Sequence, residues 1–218
     1  MFKFSKYAAV LAVLLVVAAA IAFADDPAKP SPAVVPAGEA SLVGQKAPNF
    51  TLTDTDGKTH TLQEYLAAGK IVVLHWFNPN CPFVIRHFET YPTFTDLYSS
   101  YVKKNVVVVA INSTGKDNPQ YGGDAEHKKK WRIQYPILLD PTGAVGKLYG
   151  AKTTPHTFVI SADGIIRYSG AIDNDPQDKL PAKEKLNYAR QAVDELLAGK
   201  PVSVSETRPY GCGVHYAK

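Results

Sequence analysis

Residues 70–77 (KIVVLHWF) and 105–112 (NVVVVAIN) are apolar at almost every position and rich in β-branched and aromatic side chains. A strand with one wet face alternates polar and apolar residues; a strand without a polar face has to be covered on both sides. These two runs therefore require an open sheet with helices on both of its faces. Between them Val84, Phe88, Tyr91, Phe94, Tyr98 and Tyr101 recur at three- and four-residue steps, the spacing of a helix, and Pro92 predicts a kink or break inside it. Residues 156–161 (HTFVIS) and 165–170 (IIRYSG) flank a Ser-Ala-Asp-Gly turn and predict a hairpin, and residues 182–199 predict a last helix closed by Gly199. Upstream, residues 47–66 predict a hairpin around Thr-Asp-Gly-Lys and a short helix. Strand, helix, strand, helix, hairpin and helix make an α/β domain: a βαβ unit followed by ββα.

The ends of the chain have a different character. Lys3 and Lys6, an apolar stretch from Ala8 to Ala22, and the small residues of Ala22-Phe23-Ala24 give residues 1–24 the anatomy of a secretory signal peptide. As a spanning helix the stretch is at the short edge, against the ~20 residues a bilayer needs. The expectation is export to a periplasmic or extracellular space, with no membrane association after cleavage. Residues 25–42, rich in Pro and Ala without periodicity, read as a semi-stiff linker. Residues 43–200 form the domain and 201–218 its tail. The net charge of +4 falls to +2 once Lys3 and Lys6 are removed, too little to argue for nucleic acid or a membrane surface. The run HKKK (127–130) reads as a solvated helix face.

Chemistry concentrates where the first apolar run ends, at HWFNPNCPFV (75–84). Pro82 follows Cys81 directly, and proline is favoured at the first position of a helix. Cys81 then stands at the helix N-cap, where free N–H groups and the helix dipole favour a thiolate, the form that attacks disulfides and peroxides. Asn78 and Asn80 are placed to add hydrogen bonds, and Arg86 and His87, one turn on, to add positive charge. Cys81 as a small buried core residue is the plain alternative.

One other cysteine exists, Cys212 in RPYGCGVHYAK (208–218). Two cysteines in an exported chain predict a disulfide. Joining Cys81 to Cys212 would close a loop of about 130 residues, a constraint of roughly 4 to 5 kcal/mol in the chain-entropy model. The residues leave three readings open: a static bond that pins the tail, a working bond with Gly211 and Gly213 letting the tail swing, and a copper(I) or zinc set of Cys81, Cys212 and His215.

Four segments together resemble a known family: residues 43–65 (VGQKAPNFTLTDTDGKTHTLQEY), 78–84 (NPNCPFV), 153–174 (TTPHTFVISADGIIRYSGAIDN) and 210–216 (YGCGVHY). They are similar to thioredoxin-like redoxins of the alkyl hydroperoxide reductase/thiol-specific antioxidant superfamily, in its peroxiredoxin-like branch. The resemblance implies a thioredoxin-like fold, a central mixed β-sheet with helices on both faces and an N-terminal β-hairpin extension. It implies a cis-proline at Thr154-Pro155 facing the reactive cysteine, with Thr154, Pro155 and His156 beside Cys81 and offering backbone groups to a thiol substrate. It further implies Cys81 as nucleophile and Cys212 as resolving cysteine, no organic cofactor, and as partners a thiol or disulfide protein or a peroxide with an external thiol reductant. A binding module with a structural Cys81–Cys212 bond is the non-catalytic alternative. Two departures stand out. Many members carry a first cysteine where Asn78 stands, and peroxiredoxins carry a threonine or serine three residues before the reactive cysteine, where this chain again has Asn78.

Three other features carry less. His75, on the first run, reads as a core histidine satisfied by backbone. DNDPQD (173–178) lacks the glycine and glutamate of a calcium loop and reads as a solvated turn. STGKDNPQYGGD (113–124) reads as a loop at the edge of the active site.

Overall fold

The computed structural model describes residues 41–218, so the leader read in residues 1–24 and nearly all of the linker lie outside the described residues. The expected hairpin is formed by β1 (Thr51–Asp54) and β2 (Thr59–Thr61), across a turn in which Asp54 accepts from the N–H groups of Asp56 and Lys58. The Thr61 hydroxyl caps α1 (Leu62–Ala67) by accepting from the Glu64 N–H. β3 (Ile71–Trp76) follows, buried at all six residues. α2 (Pro82–Ile85) runs on into a π turn (Arg86–Thr90) and stops, because Tyr91 is extended ahead of Pro92; α3 (Thr93–Tyr101) is a separate helix. The break that Pro92 predicts is complete, as expected where proline pushes the preceding residue out of the helical region.

β4 (Val106–Asn112), α4 (Asp124–Lys130), β5 (Ile137–Leu139), α5 (Ala144–Leu148), β6 (Thr153–Thr154), β7 (Thr157–Ile160), β8 (Ile166–Gly170), α6 (Tyr188–Leu197) and β9 (Cys212–Gly213) complete the order. The main sheet runs β2-β1-β5-β4-β3-β7-β8, with β3, β4 and β5 parallel and the other neighbours antiparallel. Alternation along β3 feeds two cores. Ile71 and Val73 join Phe94, Leu97, Ala189 and Val193 on one face; Val72, Leu74 and Trp76 join Leu62, Val145 and Tyr149 on the other. Val72, Val73 and Leu74 are wholly buried, and each such side chain contributes about 1.5–3 kcal/mol of hydrophobic stabilisation. A site at the end of β3 is therefore carried by a strand covered on both faces.

Two elements differ from the sequence reading. β5 was not expected: it is three residues between Pro136 and Asp140, too short for a periodic signal. Its antiparallel pairing with β1 makes the N-terminal hairpin continuous with the main sheet. The last helix begins at Tyr188, because the Asn187 side chain caps it by accepting from the Arg190 N–H; residues Ala182–Glu184 make only a 3₁₀ turn. Gly199 closes it in the left-handed region, as expected. The HKKK run lies on α4, where Lys128 and Lys130 pair with Asp56 and Glu89 at the surface. Among the described residues no helix is long and apolar enough to cross a membrane.

The tail is not loose. Residues 205–207 lie along β8, with Ser169 N–H bonded to the Ser205 carbonyl and Thr207 N–H to that of Ser169. Thr207 is buried, and its Oγ1 accepts from the Ala171 N–H at 2.9 Å and meets the Tyr168 hydroxyl at 2.6 Å. Thr207→Val should strand the Ala171 donor and lower stability by about 1–3 kcal/mol. In urea unfolding this appears as a lower midpoint at unchanged slope; an unchanged midpoint would show that the tail adds nothing to the fold.

Candidate active site

β3 ends at Trp76, and the chain turns at residues 78–81 before entering α2. Asn78 shapes that turn: its carbonyl accepts from the Cys81 N–H at 3.0 Å and its side-chain Oδ1 from the Asn80 N–H at 2.8 Å. Its Nδ2 donates to Thr114 Oγ1 and Gln120 Oε1, tying the turn to the 113–124 loop, which does sit at the edge of the site. The exposed Asn80 donates to the Gln120 carbonyl. Both asparagines are thus spent on building the turn, and Asn78 is 2% exposed. Cys81 occupies the N-cap of α2 with extended backbone angles and Pro82 at the first helical position, as the sequence predicts.

Cys81 is wholly buried and packs in the same core as Phe77 and Val84. Its Sγ lies 3.0 Å from the Thr154 carbonyl, to which the thiol donates, and 2.8 Å from Cys212 Sγ; the two cysteines are free thiols. Thr154–Pro155 is a cis peptide. The loop it belongs to pairs with the tail: β6 and β9 form an antiparallel ladder with Thr154 opposite Cys212 and Thr153 opposite Gly213. Gly211 passes so close to the loop that a Cβ there would collide with the Thr154 carbonyl, and its φ of 137° is one that side-chain-bearing residues rarely adopt. Glycine at 211 is what permits this close docking. Beyond Cys212, Val214 N–H bonds the Lys152 carbonyl and the Tyr216 hydroxyl donates to that of Ala151.

Burial also sets the protonation of Cys212. Burial pushes the Cys212 thiol up to about 12, the contact with Cys81 adds to this, and a bond from the Phe83 backbone N–H partly offsets it. Cys212 therefore holds its proton at neutral pH.

The remaining expected residues divide. Thr154 meets Cys81 through its carbonyl, at the cis bond to Pro155. The His156 side chain does not join them: Nδ1 accepts from the Lys152 N–H, Nε2 pairs with Ser169 Oγ, and the ring lines a separate cavity of about 360 Å³ with Lys147, Tyr149 and Glu206. Burial holds it neutral, down to about 3. The Arg86 guanidinium is bonded to other groups: it donates to the carbonyls of Asp175 and Pro176 and to the Tyr210 hydroxyl. His87 is buried and, mainly by desolvation against the pull of Asp173, lowered to about 4, so it carries no positive charge at neutral pH. His75 is a core residue, but its Nε2 partner is the Tyr135 hydroxyl and not backbone, and it stacks on Phe94. His215 does not complete a metal set, since no three His, Cys, Asp or Glu side chains among the described residues are grouped to hold an ion. In the 173–178 turn, Asp175 is buried and binds the N–H groups of Lys179 and Leu180, so the turn is not simply solvated. The sequence gives no sign that Tyr210, two residues before Cys212, pairs with Asp173, to whose Oδ1 its hydroxyl donates; its nearness to a cysteine is the one local cue.

Residues 43–169 match the AhpC/TSA family, and the chain belongs to it. Cys81 lies inside the match and Cys212 outside it. Thiol-disulfide oxidoreductase ResA of Bacillus thuringiensis subsp. konkukian is 29% identical over 122 residues, 56% of this chain; the match spans just under two thirds, 65%, of that relative's length. Peroxiredoxin Q of Triticum aestivum is 31% identical over 136 residues, 57% of each chain. A solved structure of a hypothetical protein from Sinorhizobium meliloti aligns with a TM-score of 0.71 at 27% identity, covering 82% of this chain and 97% of that one. The fold is thioredoxin-like, shared with solved thiol-disulfide proteins.

Because burial raises the Cys212 thiol, its alkylation by iodoacetamide in the reduced protein should climb steadily from about pH 9 toward pH 12. A rate that has already levelled off by about pH 8 would contradict this.

Proposed function

We propose that the chain is an exported thiol-disulfide oxidoreductase in which Cys81 is the nucleophile and Cys212 the resolving cysteine. The observation that carries this is the placement of two free thiols 2.8 Å apart, one at a helix N-cap and one on a tail docked at the cis-proline loop. The AhpC/TSA membership and the similarity to ResA support it.

The cycle balances without a cofactor. The Cys81 thiolate attacks one sulfur of a substrate disulfide, the S–S bond breaks, and the departing thiolate takes the electron pair and a proton. Cys212 then attacks Cys81 Sγ in the mixed disulfide, giving up its proton to the second departing thiolate. The substrate gains two electrons, and the Cys81–Cys212 disulfide that forms is returned to dithiol by an external thiol reductant. A peroxide enters the same scheme: Cys81 attacks an oxygen, an alcohol or water leaves, and the sulfenic acid condenses with Cys212 with loss of water. The similarity to peroxiredoxin Q favours including peroxides. The amide of Asn78, spent on Thr114 and Gln120, does not supply the hydroxyl that peroxiredoxins carry at that place, and disulfide exchange is accordingly the leading chemistry.

Full burial of Cys81 favours one other reading, a static bond that fastens the tail. The two separate by trapping. With a model peptide disulfide, Cys81→Ser should abolish turnover, and Cys212→Ser should accumulate a mixed disulfide on Cys81, visible by mass. Turnover by Cys81→Ser, or no adduct on Cys212→Ser after unfolding-free incubation, would rule out the catalytic assignment.

A further inference from the structure

Cys212 is held from two sides. The ladder between β9 and β6 fixes its backbone, and two residues earlier Tyr210 enters a junction of four side chains. The Tyr210 hydroxyl donates to Asp173 Oδ1 at 2.5 Å, and accepts from His87 Nε2 at 2.9 Å and Arg86 Nη2 at 3.3 Å. His87 is itself oriented by Thr93 Oγ1 at 3.0 Å from Nδ1. The Tyr210 ring packs on Phe83, 5.9 Å between centroids, and Arg86 lies over both rings. All of Phe83, Arg86 and His87 belong to the helical run that starts immediately after Cys81. The junction therefore joins the tail to the element that carries the nucleophile.

We propose that Tyr210 is a positioning residue: through its hydroxyl it latches the tail so that Cys212 faces Cys81, and the same latch closes Cys81 off from solvent. The proposal rests on the reading of Cys81 and Cys212 as a working pair. It gives the buried polar junction a task, since a half-buried tyrosine fully paired to a histidine, an arginine and a carboxylate is an anchor whose loss leaves those groups without their shared partner. It also reconciles a wholly buried nucleophile with chemistry: entry of a disulfide requires this latch to open, and resolution requires it to close.

The test uses the full chain. Tyr210→Phe keeps the ring on Phe83 and removes only the hydroxyl. In a Cys212→Ser background, it should speed alkylation of Cys81 by iodoacetamide about tenfold or more, the scale expected for losing a charge-assisted hydrogen bond. With both cysteines present, it should lower the effective concentration of Cys212 toward Cys81, measured against glutathione, by a similar factor. Asp173→Asn, which weakens the acceptor of the Tyr210 hydroxyl and leaves the tyrosine ring in place, should move both quantities in the same direction, and it carries the test if the tyrosine variant does not fold. A Tyr210→Phe protein that loses thermal stability with both quantities unchanged would show a purely structural anchor and overturn the proposal. If the wild-type pair forms no disulfide with glutathione at all, the working-pair reading fails, while the alkylation rates still decide whether Tyr210 controls access.

Discussion

The docking of the C-terminal tail against the cis-proline loop is the contact on which the rest of the site depends. Cys81 is wholly buried within the core, its sulfur meets Cys212 of the tail, and the tail docks there because backbone can approach backbone closely at Gly211. Without that docking Cys81 would lose its contact with the second thiol. Keep it and a second thiol is delivered to the first, still carrying its proton because the same docking removes it from water. One docking contact thus bears on both the geometry and the protonation of Cys212.

Asn78 shows how a domain of this kind manages without a local dithiol. In Cys-x-x-Cys proteins the partner thiol sits one turn away on the same segment. Here that position is occupied by an amide whose bonds to Asn80, Thr114 and Gln120 make the turn stiff. The thiol that meets Cys81 instead comes from the far end of the chain, held by the ladder of β6 with β9. A turn fixed by Asn78 and a tail docked by its own ladder together set the distance between the two thiols.

The fold was largely legible because its signals are local. Unbroken apolar runs marked β3 and β4, Pro92 marked the helix break, and the Ser-Ala-Asp-Gly turn marked the β7–β8 hairpin. β5 escaped because three residues carry no period, and the start of α6 was misplaced because a capping asparagine overrides the periodicity around it. At the site, Cys81, the cis-proline and the tail cysteine were readable from residue type and resemblance. What was not readable is which way side chains point. Arg86 and His87 sit one turn from Cys81 in sequence but serve Tyr210, and His156 adjoins the loop but faces a different cavity. Long-range side-chain partnerships, such as Tyr210 with Asp173, have no local pattern to betray them.

The central claim is that Cys81 and Cys212 exchange electrons with thiols and do not merely form a static fastening. The most direct measurement is a redox titration of the full chain in dithiothreitol and glutathione buffers, with free thiols counted by mass after acid quenching. The account predicts a single two-electron transition involving only Cys81 and Cys212, with a potential above about −300 mV, within reach of thiol reductants. A potential well below that value, or two cysteines that stay reduced across the range, would contradict it.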